Sequence, residues 1–298
     1  MRTRPAEYLI RQRVMALRRV LPAASKGDAM SVHHARIATR RLREALPLVA
    51  SGRTADRLGR DVRRLTRVLG PVRELDVALE ILNDVEATAN APRPAIQRLR
   101  GAIAEERRLL HAEMRRRLGK FDVSKLREHA VAAARRQAGR TPKRMRDPKQ
   151  AAGAKARVAR RSERLAATIE NAAGLYLPDR LHDVRIAVKK LRYTLELAQA
   201  FSGSRATARM RALKSAQDLL GRMRDLEVLI ARSRSIQSSP GASNLKVSAD
   251  LDRLVRRLET DCRQLHGQYV ASRRDLLSLC DRLIAAGRID ASARTSAA

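Results

Sequence analysis

Two separated stretches of this 298-residue chain follow one pattern, and that repetition limits the fold more than any other feature. VHHARIATRRLREAL (32–46) lies over LHDVRIAVKKLRYTL (181–195) at an offset of 149, and from position 33 onward seven of fourteen residues are identical. His33 falls on His182, Arg36 on Arg185 and Arg43 on Arg192, while Arg40-Arg41 becomes Lys189-Lys190 with its charge kept. A second pair follows in the same order at an offset of 151: LGPVRELDV (69–77) and LGRMRDLEV (220–228). There Leu69, Gly70, Arg73, Leu75 and Val77 recur, and both acids exchange Asp for Glu. Duplication of a unit of roughly 150 residues explains both matches and predicts two bundles facing each other about a pseudo-twofold axis.

The bundles are expected to be helical. Apolar residues recur with helical spacing nearly everywhere, and no run of alternating β-branched residues stands out. The spacing predicts helices near 6–21, 29–50, 55–69, 73–89, 94–118, 123–137, 155–173, 179–201, 205–220, 223–236 and 247–285. Breaks coincide with Pro22 to Asp28, Ser51-Gly52, Gly70-Pro71, Ala91 to Pro94, Pro178, Ser202-Gly203 and the SSPGASN stretch at 238–244. The reading is a single all-α domain over 6–285, built from repeats at about 6–137 and 155–285, with a frayed tail at 286–298. Residues 138–154 join the repeats. Between Arg135 and Arg161 lie eleven basic residues and two prolines against Asp147 alone, which suits a solvated linker or mobile basic arm, or a segment that orders on a polyanion.

At 100° per residue, with His33 at zero, Arg36, Arg40 and Arg43 fall at about 300°, 340° and 280°. Ala35, Ala38, Leu42, Ala45, Leu46 and Val49 occupy the range from about 120° to 220°. One face is therefore buried, and the other carries a stripe of one His and three Arg over about 15 Å. The second copy repeats this with His182, Arg185, Lys189 and Arg192, opposed by Val184, Ala187, Leu191, Leu195 and Ala198. Like charges at these spacings repel by a few tenths of a kcal/mol per pair, so two such stripes call for an anion.

The overall charge agrees. Lys and Arg number 64 against 31 Asp and Glu, a net of +33, which points to a polyanionic partner. Hydrophobic residues make up 44% of the chain, so a disordered basic tail is excluded. Trp is absent and only four Tyr and two Phe occur, which argues against a β-sandwich core and against base-stacking readers of single strands. Cys262 and Cys280 stand eighteen residues apart in one helical stretch, about 27 Å along it, so they cannot pair within that helix. Unpaired cysteines indicate a reducing compartment. With no apolar run of membrane-span length and no secretory leader pattern, the expectation is a cytoplasmic protein without a membrane partner.

Arg73 and Arg224 follow Gly70 and Gly221 at expected helix starts, where backbone N–H groups also favour anions. Glu74 and Asp76, like Asp225 and Glu227, suit those starts as dipole partners, or form salt bridges that aim basic side chains inward. Arg63 and Lys214 align at the second offset and are further candidate ligands. His33 and His182 read as phosphate donors whose charge a nearby anion raises, whereas His34, His111, His129 and His266 read as surface or capping residues. Neither motif His has a second His or carboxylate at i+3 or i+4, so no metal site is expected.

The spacing H-x-x-R-I-x-x-[RK]-[RK]-L-R, followed by L-G-x-x-R-[DE]-x-[DE]-V in each half, resembles the CHAD family, the conserved histidine α-helical domain. The likeness spans roughly 6–285. It implies an all-helical, pseudo-twofold domain with a central basic channel that binds inorganic polyphosphate, with polyphosphate granules as an implied location. Matched residue by residue, it points to His33, Arg36, Arg40, Arg41 and Arg43, and to His182, Arg185, Lys189, Lys190 and Arg192. The copies depart from each other where Asp183 stands opposite His34 and Tyr193 opposite Glu44. Some relatives carry a triphosphatase tunnel domain with an E-x-E-x-K signature, and that signature is absent here. Nor does the chain carry a G-x-x-x-x-G-K-[ST] loop or a G-x-G-x-x-G turn. The expectation is thus a noncatalytic polyphosphate-binding protein without cofactor. The alternatives are nonspecific nucleic-acid binding and, further off, phosphotransfer through a motif histidine. Arg outnumbers Lys 54 to 10, which suits bidentate phosphate recognition.

Overall fold

The structure, a computed structural model, describes residues 5–49, 52–139, 148–202, 207–238 and 245–295. Among these residues it is all-α, without a strand, in the order α1 (Pro5–Ser25), α2 (Ala29–Val49), α3 (Gly52–Val68), α4 (Gly70–Glu86), α5 (Arg93–Leu118), α6 (Val123–Gly139), α7 (Pro148–Ala172), α8 (Pro178–Ser202), α9 (Thr207–Gln237) and α10 (Leu245–Thr295).

Local chemistry sets most boundaries. Asp28 caps α2 by accepting from the Ser31 N–H at 2.8 Å, and Asp122 caps α6 by accepting from the Lys125 N–H at 2.9 Å. Pro71 sits in the first turn of α4, Pro94 in that of α5, and Pro178 opens α8, positions where a missing N–H removes no helical bond.

Four boundaries differ from those that periodicity predicts. α1 continues through Pro22 to Ser25, because a proline in the final turns removes one bond without ending the helix. No break occurs at Gly221: the expected helices at 205–220 and 223–236 are one helix, α9. Gly70 is followed by Pro71 but Gly221 by Arg222, and a lone helical glycine costs only about 1 kcal/mol. α7 starts at Pro148, so residues 148–154 of the expected linker are helical and Ala154 is buried in the core. α10 extends to Thr295 through an Ala-rich stretch of good helix formers, past the expected start of the tail at 286. The remainder of the linker at 140–147, the tail at 296–298 and most of the breaks at 51–52, 202–203 and 238–244 lie outside the described residues.

The helices enclose three cores. The first unites α1, α2, α3 and α6 around Ile10, Val14, Leu42 and Leu65, and Leu197 of α8 reaches into it. The second unites α7, α8, the first half of α9 and the second half of α10 around Leu165, Leu191, Leu213 and Tyr269. The third is shared between the halves of the chain: Leu75, Ile81 and Leu99 of α4 and α5 pack with Leu226 and Leu229 of α9 and Leu254 and Leu258 of α10. This joint core holds α2 and α8 at a fixed approach.

The turn before α2 is anchored with particular care. Gly27 has φ +90°, and a Cβ there would meet the His111 ring at 3.0 Å. His111 Nε2 lies 3.0 Å from the Ser25 carbonyl, the capping role expected of it, and Arg107 donates to the Gly27 carbonyl at 2.7 Å. Gly27→Ala is expected to lower stability by about 1–3 kcal/mol, since it adds both left-handed strain and a steric conflict. Urea denaturation measures this, and an unchanged midpoint would show that the turn tolerates a side chain.

Candidate functional site

α2 and α8 present their stripes to each other, and the cluster forms from the middle of each. Arg36 lies within electrostatic reach of Arg40, Arg73 and Arg185, and Lys189 within reach of Arg40, Arg185 and Arg36. The buried faces are those that helical phase predicts: Ala35, Ala38, Leu42, Ala45 and Leu46 on α2, and Val184, Ala187, Leu191 and Leu195 on α8. α4 and α9 supply the rest of the wall through Arg73, Arg224 and Asp225. Gly70 leaves room for the Arg36 guanidinium, which a Cβ would meet at 2.9 Å and displace from its reach toward the Thr66 carbonyl at 3.5 Å.

Burial and mutual repulsion act together on these cations. Burial, then Arg40, Arg73 and Arg185, pushes Arg36 down to about 10, with Glu74 opposing. Lys189 is only 9% exposed, and burial followed by Arg40, Arg185 and Arg36 pushes it down to about 6. Burial and then Arg40 and Arg224 lower Arg185, while Asp225 pulls the other way. Asp225 itself is raised by burial, despite Arg185, Arg222, Arg73 and Lys189 around it. Asp225 is nonetheless the acid that most strongly supports the charge of Arg185.

The two motif histidines flank this cluster. Burial, then Arg73, lowers His33; its neighbours include His34, whose ring meets it edge to face at 5.6 Å, and Glu80. Glu80 is held in a two-pronged contact by Arg73 at 2.8 and 3.2 Å. Burial, then Arg185 and Arg224, lowers His182. His182 Nδ1 and Arg185 Nε are buried without a hydrogen-bond partner, polar atoms that an anion in the cluster could engage.

The remaining candidates lie elsewhere. Arg41 faces Glu196 of α8 at 3.1 Å, beside Arg13 of α1 at 3.0 Å on the same oxygen, and so links α1 and α2 to α8. Lys190 occupies the matching off-stripe phase, at about 80° from His182, and is half-buried. Arg192 donates to Gln217 at 2.9 Å and lies over the Tyr193 ring at 4.4 Å. Lys214 is exposed and paired with Asp218 at 2.7 Å. Arg224 pairs with Glu227 at 3.2 Å from mid-helix, not from the helix start expected of it. Arg43 and Arg63 line a separate cleft against α7.

Two supporting residues, Arg107 and Tyr176, escaped the sequence reading, which named only the acids they bond. Buried Asp76 accepts from Arg107 at 2.6 Å, and that arginine holds the Gly27 carbonyl ahead of α2. Glu227 accepts from the Tyr176 hydroxyl at 3.1 Å, just ahead of α8. Gly27 and Tyr176 are separated by 149 positions, the offset of the His motif itself, and that coincidence was the available signal. His266, expected at the surface, packs instead between the rings of Tyr176 and Tyr269 with Nε2 buried. Among the described residues, no group of three His, Cys, Asp or Glu could hold a metal ion, and no helix is long and apolar enough to cross a membrane.

Comparison with known proteins returns one family model, the CHAD domain, over residues 9–234. The crystal structure of the CHAD domain from the plant Ricinus communis superposes with a TM-score of 0.70 at 21% identity, covering 91% of this chain and 90% of that one. PptA from Streptomyces chartreusis superposes with a TM-score of 0.61 at 16% identity, covering 90% and 97%. Identities this low show a shared fold. No curated protein matches the chain.

The buried lysine has a measurable consequence. Folded Lys189 gives up its proton near pH 6, whereas an unfolded lysine keeps it to about pH 10.4. Between these values unfolding takes up a proton, so ligand-free stability rises with pH across that window. Lys189→Met is expected to stabilise the ligand-free protein by about 1–3 kcal/mol at pH 7 and to flatten that rise. Thermal unfolding at several pH values tests this; an unchanged profile would mean that the lysine stays charged.

Proposed function

This chain belongs to the CHAD domain family, and on that footing we propose that it binds inorganic polyphosphate in a basic channel where α2 and α8 meet, without catalysing a reaction on it. The observation that carries the reading is the cluster of Arg36, Arg40, Arg185 and Lys189, half-buried or buried beside Asp225, in which neighbouring cations and burial lower the proton affinity of Arg36, Arg185 and Lys189. Such a cluster is stabilised by an anion and by little else. Arg73 and Arg224 extend the wall, and His33 and His182 stand at its margins as donors.

Polyphosphate suits the site better than nucleic acid does. Both are held through phosphates, but a chain without bases offers nothing to stack, and this protein has few rings to stack on: Tyr193 and Tyr269 are themselves buried. Planar guanidinium forks match successive phosphates. The histidines are read as donors, because the carboxylate nearest His33, Glu80, is already engaged by Arg73.

Purified protein is expected to bind long polyphosphate more tightly than mixed-sequence duplex DNA in competition at one physiological salt concentration. Each phosphate neutralised should contribute about −0.7 to the slope of log K against log salt, by analogy with a flexible single strand. Arg40→Glu should weaken binding with native helix content retained in circular dichroism. A slope near zero, or DNA winning the competition, defeats the proposal.

Affinity should also fall as pH rises from about 6 to about 8.5. Bound phosphate raises proton affinities that the empty cluster depresses at Lys189, His33 and His182. Each proton taken up on binding contributes at most about tenfold per pH unit. The double variant His33→Gln, His182→Gln should still bind, keeping only the share of the pH dependence that Lys189 supplies. Orthophosphate release or acid-labile phosphate on wild-type protein, absent from this variant, would instead indicate an enzyme.

A further inference from the structure

A cleft of about 710 Å³ opens beyond the cluster, between α2 and α3 on one wall and α7 on the other. Six arginines line it: Arg43 from α2, Arg63 from α3, and Arg157, Arg160, Arg161 and Arg164 from α7, against the acids Glu44 and Asp56. None of the six forms an ion pair with a described residue, although Glu44 lies near enough to Arg157 to oppose its depression by burial. The α7 arginines stand at i, i+3, i+4 and i+7, a single helical face, and Ala154, Val158 and Leu165 bury the neighbouring face. The helix is thus held from behind while its charges point at the cleft. Unpaired guanidinium groups gathered around a cavity of this size repel one another, and only a multiply charged anion relieves all of them at once.

Arg43 belongs to both places. It lies on the α2 stripe with Arg36 and Arg40, about 10 Å along the helix from Arg36, and it lines the cleft. Arg43 thus stands three residues beyond Arg40 on the stripe and at the wall of the cleft. The matching path on the other side is closed by pairing: Arg192 is bound to Gln217 and lies over Tyr193, and Lys214 is bound to Asp218.

We propose that the cleft continues the polyphosphate track on one side only, so that a chain held by the cluster runs past Arg40 and Arg43 and has its next phosphates gripped by α7. This inference rests on the reading of the cluster as a polyphosphate site. The ligand class is a linear phosphoanhydride chain long enough to span both places, so the cleft selects for length. Arg157, Arg160, Arg161 and Arg164 then act as length-sensing contacts, a role distinct from that of a linker.

The test compares wild type with Arg160→Gln/Arg164→Gln, an exposed pair whose loss leaves the buried face of α7 intact. Long-chain polyphosphate and tripolyphosphate are titrated against both proteins over a salt series, with circular dichroism as the folding check. The variant is expected to bind the long chain about tenfold more weakly, with a salt slope smaller by about 1.4, and to bind tripolyphosphate as wild type does. Equal long-chain affinity and slope in the two proteins would overturn the cleft while leaving the cluster standing. An equal loss for tripolyphosphate would overturn it as well, since the cleft would then not be an extension. Failure of wild type to bind either ligand would overturn both readings, and Arg40→Glu, which should weaken both ligands, marks the cluster independently.

Discussion

Repulsion among Arg36, Arg40, Arg185 and Lys189 sets what the rest of the fold must supply. Left alone, two helices with facing cationic stripes would part. They are held by apolar burial behind each stripe and by the core that α4, α5, α9 and α10 build jointly. Each fully buried Leu or Ile there contributes about 1.5–3 kcal/mol, against a few tenths for each like-charge pair along a helix. Ion pairs across the chain's halves reinforce the joint core: Glu196 with Arg13 and Arg41, Arg222 with Asp84, Arg232 with Glu106. These pairs range from the mostly buried Arg13 with Glu196 to the exposed Arg222 with Asp84, and exposed pairs contribute little individually; the apolar core carries the greater part of the load and the ion pairs set the register.

The two sequence motifs divide the labour of the site. The His-bearing motif provides the charged stripes, and the second motif aims them. Asp76, through Arg107 and the Gly27 carbonyl, fixes the turn that opens α2, and Glu227, through Tyr176, fixes the region that opens α8. Glu74 and Asp225, two positions earlier in each copy, instead lie near the cations and moderate them. The acids of the second motif thus divide in two: one of each pair is architectural, and the other limits how far the cluster repels itself.

Much of this was legible in the residues. Helical phase follows from fixed geometry, so the buried faces of α2 and α8, the place of Arg36 and Arg40 on one stripe and that of Arg185 and Lys189 on the other could be computed before any fold was known. The same arithmetic put Arg41 and Lys190 about 80° off the stripe, and Arg41 indeed turns to Glu196; motif matching had grouped it with the ligands regardless of phase. What could not be read was tertiary. The partner of Arg41 lies 155 positions away, and nothing local forecasts a core shared between halves. Composition also misled over 148–154, which the density of basic residues between Arg135 and Arg161 assigned to the linker although α7 begins at Pro148.

On the proposed polyphosphate reading, divergence between the matching halves lets a repeated sequence hold that unbranched polymer unequally. A run of identical phosphates presents the same face at every step, so two matching stripes can grip it without reading direction. Direction enters through the surroundings. In the second half α9 and α10 run unbroken where the first half has α3 then α4 and α5 then α6; Arg192 at the end of its stripe is bonded to Gln217 and lies over Tyr193, and Lys214 of α9 is paired with Asp218. In the first half, Arg43 and Arg63 keep their charge unpaired toward α7. Small local substitutions, a proline at 71 against an arginine at 222 and a glutamate at 44 against a tyrosine at 193, thereby accompany two stripes of matching sequence with different surroundings, one flanked by bonded cations and the other by an arginine-lined cleft.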